Sequence, residues 1–317
     1  MGTRGPYRRL RAVPAGAGRV RRFAARSLAI SLAAVSGLLM AGGTAPLPAT
    51  AQERVLSLDY CADQYVMALA DGGNILAVSP AAASEYSYLA DRAQGLAALR
   101  PTGEQVLLAD PDLVIRQWGG GYNAAAYLDR FGIPVVQVSF GTTVDSVREN
   151  LRRIADALNA RPRAEALIAD MDRRLARVRA GHAPRAARPY GLYVTPGGVT
   201  SGAGTFVHTM MEAAGVRNIM AVDGKTGWRG INLETLALRP PDLIIGAFFD
   251  LKSNHVNHWS IARHSFLKDM METTPTVFIP GAQVACSGWF FADAVENIHR
   301  TARTIQTMQH PTLASRE

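Results

Sequence analysis

The chain has 317 residues, 48% of them hydrophobic, with 34 Lys+Arg against 26 Asp+Glu and a formal charge of +8. Eight of the arginines lie in the first 51 residues, which hold no acid, so the remainder carries 26 residues of each sign. The basic excess belongs to that leader and gives no support for nucleic-acid binding; two cysteines are too few for a disulfide-dense scaffold.

The leader combines Arg4, Arg8, Arg9, Arg11, Arg19, Arg21, Arg22 and Arg26 with an uncharged apolar run from Ser27 to Met40. It ends in Ala49-Thr50-Ala51. A positive segment, an apolar segment and an A-x-A site together predict a secretory signal peptide over 1–51. The apolar run is shorter than the roughly 20 residues of a membrane span. No Cys follows the site, so no lipid anchor is expected. Arg21-Arg22-Phe23 touches the twin-arginine pattern, but its surroundings fit general secretory export better. About 266 residues remain for folding, enough for two lobes of ordinary size.

Strand and helix then alternate. Arg54–Leu58 reads as a buried strand, Asp63–Ala70 as a helix stopped by Asp71-Gly72-Gly73, and Ile75–Val78 as a strand. Glu104–Leu108 reads as helix, Leu113–Ile115 as strand, Tyr122–Phe131 as helix and Val135–Val138 as strand. From Val144 to about Arg179, apolar residues recur at threes and fours, and Arg161-Pro162 divides the stretch into two helices. An Arg- and Ala-rich linker, His182–Pro189, precedes a fresh strand at Tyr190–Val194. This alternation predicts an α/β fold with parallel sheets.

The second half repeats the first. PTGEQVLLADPDLVI at 101–115 and INLETLALRPPDLII at 231–245 share six positions without a gap. These are Glu104/Glu234, Leu108/Leu238, Pro111/Pro241, Asp112/Asp242, Leu113/Leu243 and Ile115/Ile245. Upstream, Asn74–Val78 matches Asn218–Val222 in the same order. The reading is two similar lobes joined by a helical segment: 52–143, a linker over 144–188, and 189–317.

Open parallel sheets bind ligands beyond the carboxyl ends of their strands, so the loops there are the place to search. They hold Tyr86 and Tyr88; Arg116 and Trp118; Trp228 and Arg229; Phe248; and Trp289 and Phe290. Aromatic residues in Gly-flanked loops suit ligand walls, and the arginines suit anionic groups on a ligand. His255, His258 and His264 offer a second possibility, a bare zinc or manganese site. Enzyme signatures are missing. Val199 occupies the first Gly position of a nucleophile elbow at Ser201, and Gly197–Gly204 lacks the Lys of a phosphate-binding loop. A catalyst is therefore not expected, and no cofactor is called for.

From Arg54 to about Met308 the chain resembles the periplasmic binding proteins of cobalamin and ferric-siderophore ABC importers. The segments that carry the likeness are RVLSLDYCADQYVMALA, the Glu-x-Val-Leu…Pro-Asp-Leu-Val-Ile block with its second copy, and the charged helix over Arg163–Arg179. The resemblance implies a monomeric periplasmic protein that takes a metal chelate between its lobes and docks on ABC permease subunits. It implies permease-docking roles for Glu104 and Glu234, and ligand contacts for Trp118, Trp228, Trp289 and Tyr86 or Tyr88. Cys61 and Cys286 depart from the pattern. Both fall in predicted cleft loops, on different lobes, and a disulfide, free thiols and a thiol–ligand contact all stay open.

Overall fold

A computed structural model describes residues 54–252 and 264–309. The predicted leader, His255 and His258 lie outside the described residues.

The first lobe runs β1 (Val55–Ser57), α1 (Tyr60–Leu69), β2 (Ile75–Ala77), α2 (Gly103–Ala109), β3 (Leu113–Arg116), α3 (Ala124–Asp129) and β4 (Val135–Gln137). Its strands pair in the order β2-β1-β3-β4, all parallel. β1 and β3 are buried along their whole length, their polar last residues Ser57 and Arg116 included; β2 and β4 are the more open edges. α1 starts earlier than its apolar pattern, because Asp59 caps it. α3 starts later than expected, because Gly120 and Gly121 sit at φ +80° and +86° and turn the chain before it can coil.

Two helices follow, α4 (Val144–Ala157) and α5 (Arg161–Ala180). Thr143 and Ser146 form a reciprocal cap at the start of α4, and Pro162 sits in the first turn of α5, where a missing N–H costs nothing. α5 buries Ala164, Ile168, Met171, Leu175 and Val178, one stripe at helical spacing. Its charged flank binds Arg148 and Arg152 of α4 through Asp172 (2.6 Å) and Glu165 (2.9 Å).

The second lobe runs β5 (Tyr190–Val194), β6 (Val199–Ser201), α6 (Phe206–Ala213), β7 (Arg217–Asn218), α7 (Ile219–Val222), β8 (Trp228–Gly230) and α8 (Leu233–Leu238). It continues with β9 (Leu243–Ala247), α9 (Ser265–Thr273), β10 (Thr276–Ile279), α10 (Gly281–Val284) and α11 (Phe291–Gln309). The main sheet has the order β10-β9-β5-β7, again parallel. Read from the other edge, this is the first lobe's order. β6 and β8 form an extra antiparallel pair.

The repeat has a physical basis. In the first lobe the Asp112 carboxylate accepts the Arg54 amide at 2.7 Å, while the Asp112 amide donates to the Arg54 carbonyl at 3.0 Å. In the second, Asp242 does the same to Tyr190, at 2.8 Å both ways. Each Pro-Asp thus ties the entry of the third strand to the start of the first. The other repeat is out of step. Ile75–Ala77 is strand, whereas Ile219–Val222 is a helical turn and the edge strand is Arg217–Asn218. The Asn218 side chain causes the change. It caps the Met220 amide at 3.0 Å and donates to the Ser201 carbonyl at 2.9 Å, so the chain coils where Asn74 lets it extend.

One apolar core runs through both lobes, from Val55 and Ile115 through Met171 of α5 to Tyr193, Val295 and Ile305. α11 packs along α5 and α6. Arg174 of α5 grips Glu296 and Asp293 of α11 at 2.7 and 2.5 Å. Among the described residues no helix is long and apolar enough to cross a membrane.

Candidate functional site

The carboxyl ends of the two sheets meet across a seam. Glu85, beyond β2, accepts the Lys252 amide, beyond β9, at 2.7 Å. The ring centroids of Tyr86 and Phe248 lie 6.4 Å apart on the same seam. Phe248 has φ +66°, a conformation rare for a bulky residue, and such outliers gather at ligand sites.

The predicted ligand residues separate into two aromatic groups. One is open. Trp118 meets Tyr60 edge-on at 5.6 Å, Tyr60 lies 5.7 Å from Tyr86, and Tyr86 faces Phe248. Trp118 is 47% exposed, so much of its indole is free for a ligand. The other group surrounds a covalent link between the lobes. Cys61 and Cys286 are joined in a disulfide, which resolves the thiol alternatives. Around it Tyr88 stacks on Phe290 at 4.4 Å, and Trp289 meets Phe290 at 5.2 Å and Tyr65 at 5.5 Å. Phe290 is 1% exposed and has no face left for a ligand. The Tyr88 hydroxyl donates to Asp293 at 2.7 Å; burial first, then this bond, pushes its pKa up to about 12. Phe290 therefore belongs to the joint between the lobes, and Tyr88 and Trp289, both half-buried, border it.

Trp118 is held by a carboxylate. Asp59 takes the amides of Gln117, Trp118 and Gly119 on one oxygen, at 2.7, 2.9 and 2.9 Å. Its other oxygen caps α1 through the Ala62 amide at 2.9 Å. A Cβ on Gly119 would overlap the Leu58 carbonyl, so only glycine lets the loop close this tightly. Arg116 is buried and donates through one terminal nitrogen to the Gly121 carbonyl (2.9 Å), bracing the same loop from within, while its Nε has no hydrogen-bond partner. The arginine predicted to meet a ligand thus also braces the loop that carries the tryptophan.

On the second lobe Trp228 stands on β8, 57% exposed, with its ring 6.0 Å from Tyr193. Arg229 follows it, half-buried. These two lie past the end of β5 and are not part of the four-ring chain. Tyr60 was missed by sequence reasoning, although it opens α1 three residues after β1 and just before Cys61, at the carboxyl end of a strand that should have been searched. Burial, Tyr86 and Asp59 all raise its pKa.

Beneath the open group lies Asp63, fully buried. It accepts the Ser57 hydroxyl, the Ser79 amide at 2.9 Å and the Ser79 hydroxyl at 2.6 Å. Burial outweighs these bonds and lifts its pKa to about 7. Of the proposed metal histidines, only His264 is described; its ring nitrogen caps α9 through the Phe266 amide at 3.2 Å. Among the described residues no cluster of His, Cys, Asp or Glu is suited to a metal ion.

The sequence profile of the periplasmic binding proteins matches residues 55–276. This chain belongs to that family. The periplasmic binding protein described here is 29% identical over 199 residues to the cobalamin-binding protein of Halobacterium salinarum, covering 61% of this chain and 53% of that one. It thus spans about half the length of that curated relative. It is 28% identical over 204 residues to the vitamin B12-binding protein of Yersinia pestis, covering 63% of this chain and 71% of the other. The fold is that of the periplasmic heme-binding protein of Roseiflexus sp. RS-1 in its apo form, with a TM-score of 0.60 at 20% identity, covering 79% of this chain and 99% of that one. The family is a binding class, consistent with a site built of rings.

Proposed function

We propose that this protein takes a metal chelate with broad apolar faces, of the cobalamin or ferric-siderophore type, between its lobes outside the cytoplasmic membrane and delivers it to an ABC importer. The observation that carries the reading is the open chain of Trp118, Tyr60, Tyr86 and Phe248, which crosses from one lobe to the other at the carboxyl ends of the strands. Rings held edge-on and tilted leave faces and edges for a large flat or apolar ligand. Trp228 and Arg229 would close over it from the second lobe. Cobalamin binding in the two sequence relatives supports this ligand class. Export rests on the first 51 residues, and the protein acts without catalysing a reaction.

In the same reading, Glu104 and Glu234 contact basic groups of the permease. Both are exposed, in the first turns of α2 and α8.

Tryptophan fluorescence with added cyanocobalamin, hemin and a ferric hydroxamate tests the ligand class. At least one should quench saturably, and Trp118→Ala should weaken it at least about tenfold, roughly 1.4 kcal/mol. If none binds while zinc or manganese does, the chelate reading is wrong.

A further inference from the structure

Four of the six positions shared by the two repeat blocks are explained by the fold. Leu113, Leu243, Ile115 and Ile245 are core residues. Asp112 and Asp242 clamp the strands, and Pro111 and Pro241 follow the ends of α2 and α8. The remaining two, Glu104/Glu234 and Leu108/Leu238, enter neither core; the glutamates are exposed first-turn acids, which suits the helix N-terminus but does not call for a leucine beside them. The inward faces of these helices are supplied instead by Val106 and Leu236, both buried. Leu108 is 79% exposed and Leu238 is 89% exposed. In each lobe the leucine stands four residues after the glutamate, one turn along the same helix face. Neither carboxylate has an ion pair among the described residues.

A single exposed leucine carries no information. The same leucine, exposed twice at equivalent places beside an equivalent acid, is a duplicated patch. Duplicated patches on lobes of one topology fit a partner that is itself two-fold symmetric. We infer that Leu108 and Leu238 are a matched pair of apolar contacts, each entering one copy of the same recess on a homodimeric permease, with that copy's basic group meeting the neighbouring glutamate. This rests on the docking reading above. The acid supplies the charge complementarity, and the leucine loses water only in the complex, which shortens the lifetime of a misdocked encounter relative to a seated one.

The test places a photo-reactive benzoylphenylalanine at Leu108, at Leu238 or at the exposed control Phe278 in the full-length chain in its own cells. Cross-linked peptides are then identified by mass spectrometry. The inference expects Leu108 and Leu238 probes to capture the same short segment of one integral membrane permease, at least tenfold above the Phe278 probe. It expects Glu104→Gln with Glu234→Gln to cut both yields at least tenfold. Capture of different segments, of a soluble protein, or of nothing above control overturns the leucine inference. Shared capture that survives the double glutamine change overturns the role of the acids while leaving the leucine pair standing. Loss of uptake in the glutamine variant without shared capture leaves the acids standing and removes the leucines.

Discussion

Breaking the bridge between Cys61 and Cys286 is expected to cost much stability and little affinity. The two residues are 225 positions apart, and the bond joins α1 of the first lobe to the segment after α10 in the second. Closing so long a loop removes unfolded-state entropy worth about 5 kcal/mol at 25 °C in the chain-entropy treatment. Unfolding about 266 residues releases roughly 0.5 kcal/mol/K, so the bond's loss lowers Tm by about 10 °C. Binding should change less, by under about threefold, because the lobes stay registered by other means. The core is continuous through α5, the Tyr88 hydroxyl reaches Asp293 across the joint, and Asp293 is in turn held by Arg174. The assay compares thermal melts by circular dichroism of the oxidised protein and a Cys61→Ala/Cys286→Ala variant, with chelate titration of each. Alkylation of the denatured, unreduced wild type should label no thiol. Melts within about 2 °C of each other would refute the entropic argument, and two labelled thiols would refute the bridge itself.

Two further outcomes follow from buried carboxylates. Asp59→Ala removes a helix cap and leaves three loop amides without their acceptor, so stability should fall by about 3 kcal/mol or more. Trp118 should also lose its position, weakening chelate binding at least about tenfold; urea melts and fluorescence titration read both, and unchanged affinity would show that the loop holds itself. Asp63 behaves oppositely to a paired surface acid. Burial raises its carboxyl from 3.8 to about 7, so the folded state keeps a proton that the unfolded chain releases. Its contribution is fully present below about pH 4 and is lost as pH rises through about 7. Asp63→Asn should flatten that slope and raise the urea midpoint at pH 8 relative to wild type, and an unaltered difference between pH 5 and pH 8 would count against it.

Much of the scaffold was legible because its signals are local. Strand periodicity, the Pro162 break, the Arg-rich linker and the Pro-Asp punctuation each depend on a few neighbouring residues. The 101–115 and 231–245 blocks kept their meaning in space because each Pro-Asp performs the same hydrogen-bonding task. The Asn74/Asn218 match did not. Nearly identical letters, differing only at Leu76 and Met220, extended in one lobe and coiled in the other, since the Asn218 amide found the Ser201 carbonyl through tertiary packing. The site was half legible for the same reason. Loop position pointed to where aromatics gather, but it could not separate the exposed Trp118 from the buried Phe290. It gave no hint that Arg116 would be turned inward.

By itself, then, the sequence determined an α/β chain of two like lobes, with an acid and a leucine repeated on each lobe. Those features are written in periods and short motifs, which survive without knowledge of distant contacts. Tertiary structure alone decided that Cys61 meets Cys286, that Tyr60 sits between Trp118 and Tyr86 and that Phe290 is buried. Each of these rests on residues far apart in the chain being brought close together, which periods and short motifs do not record.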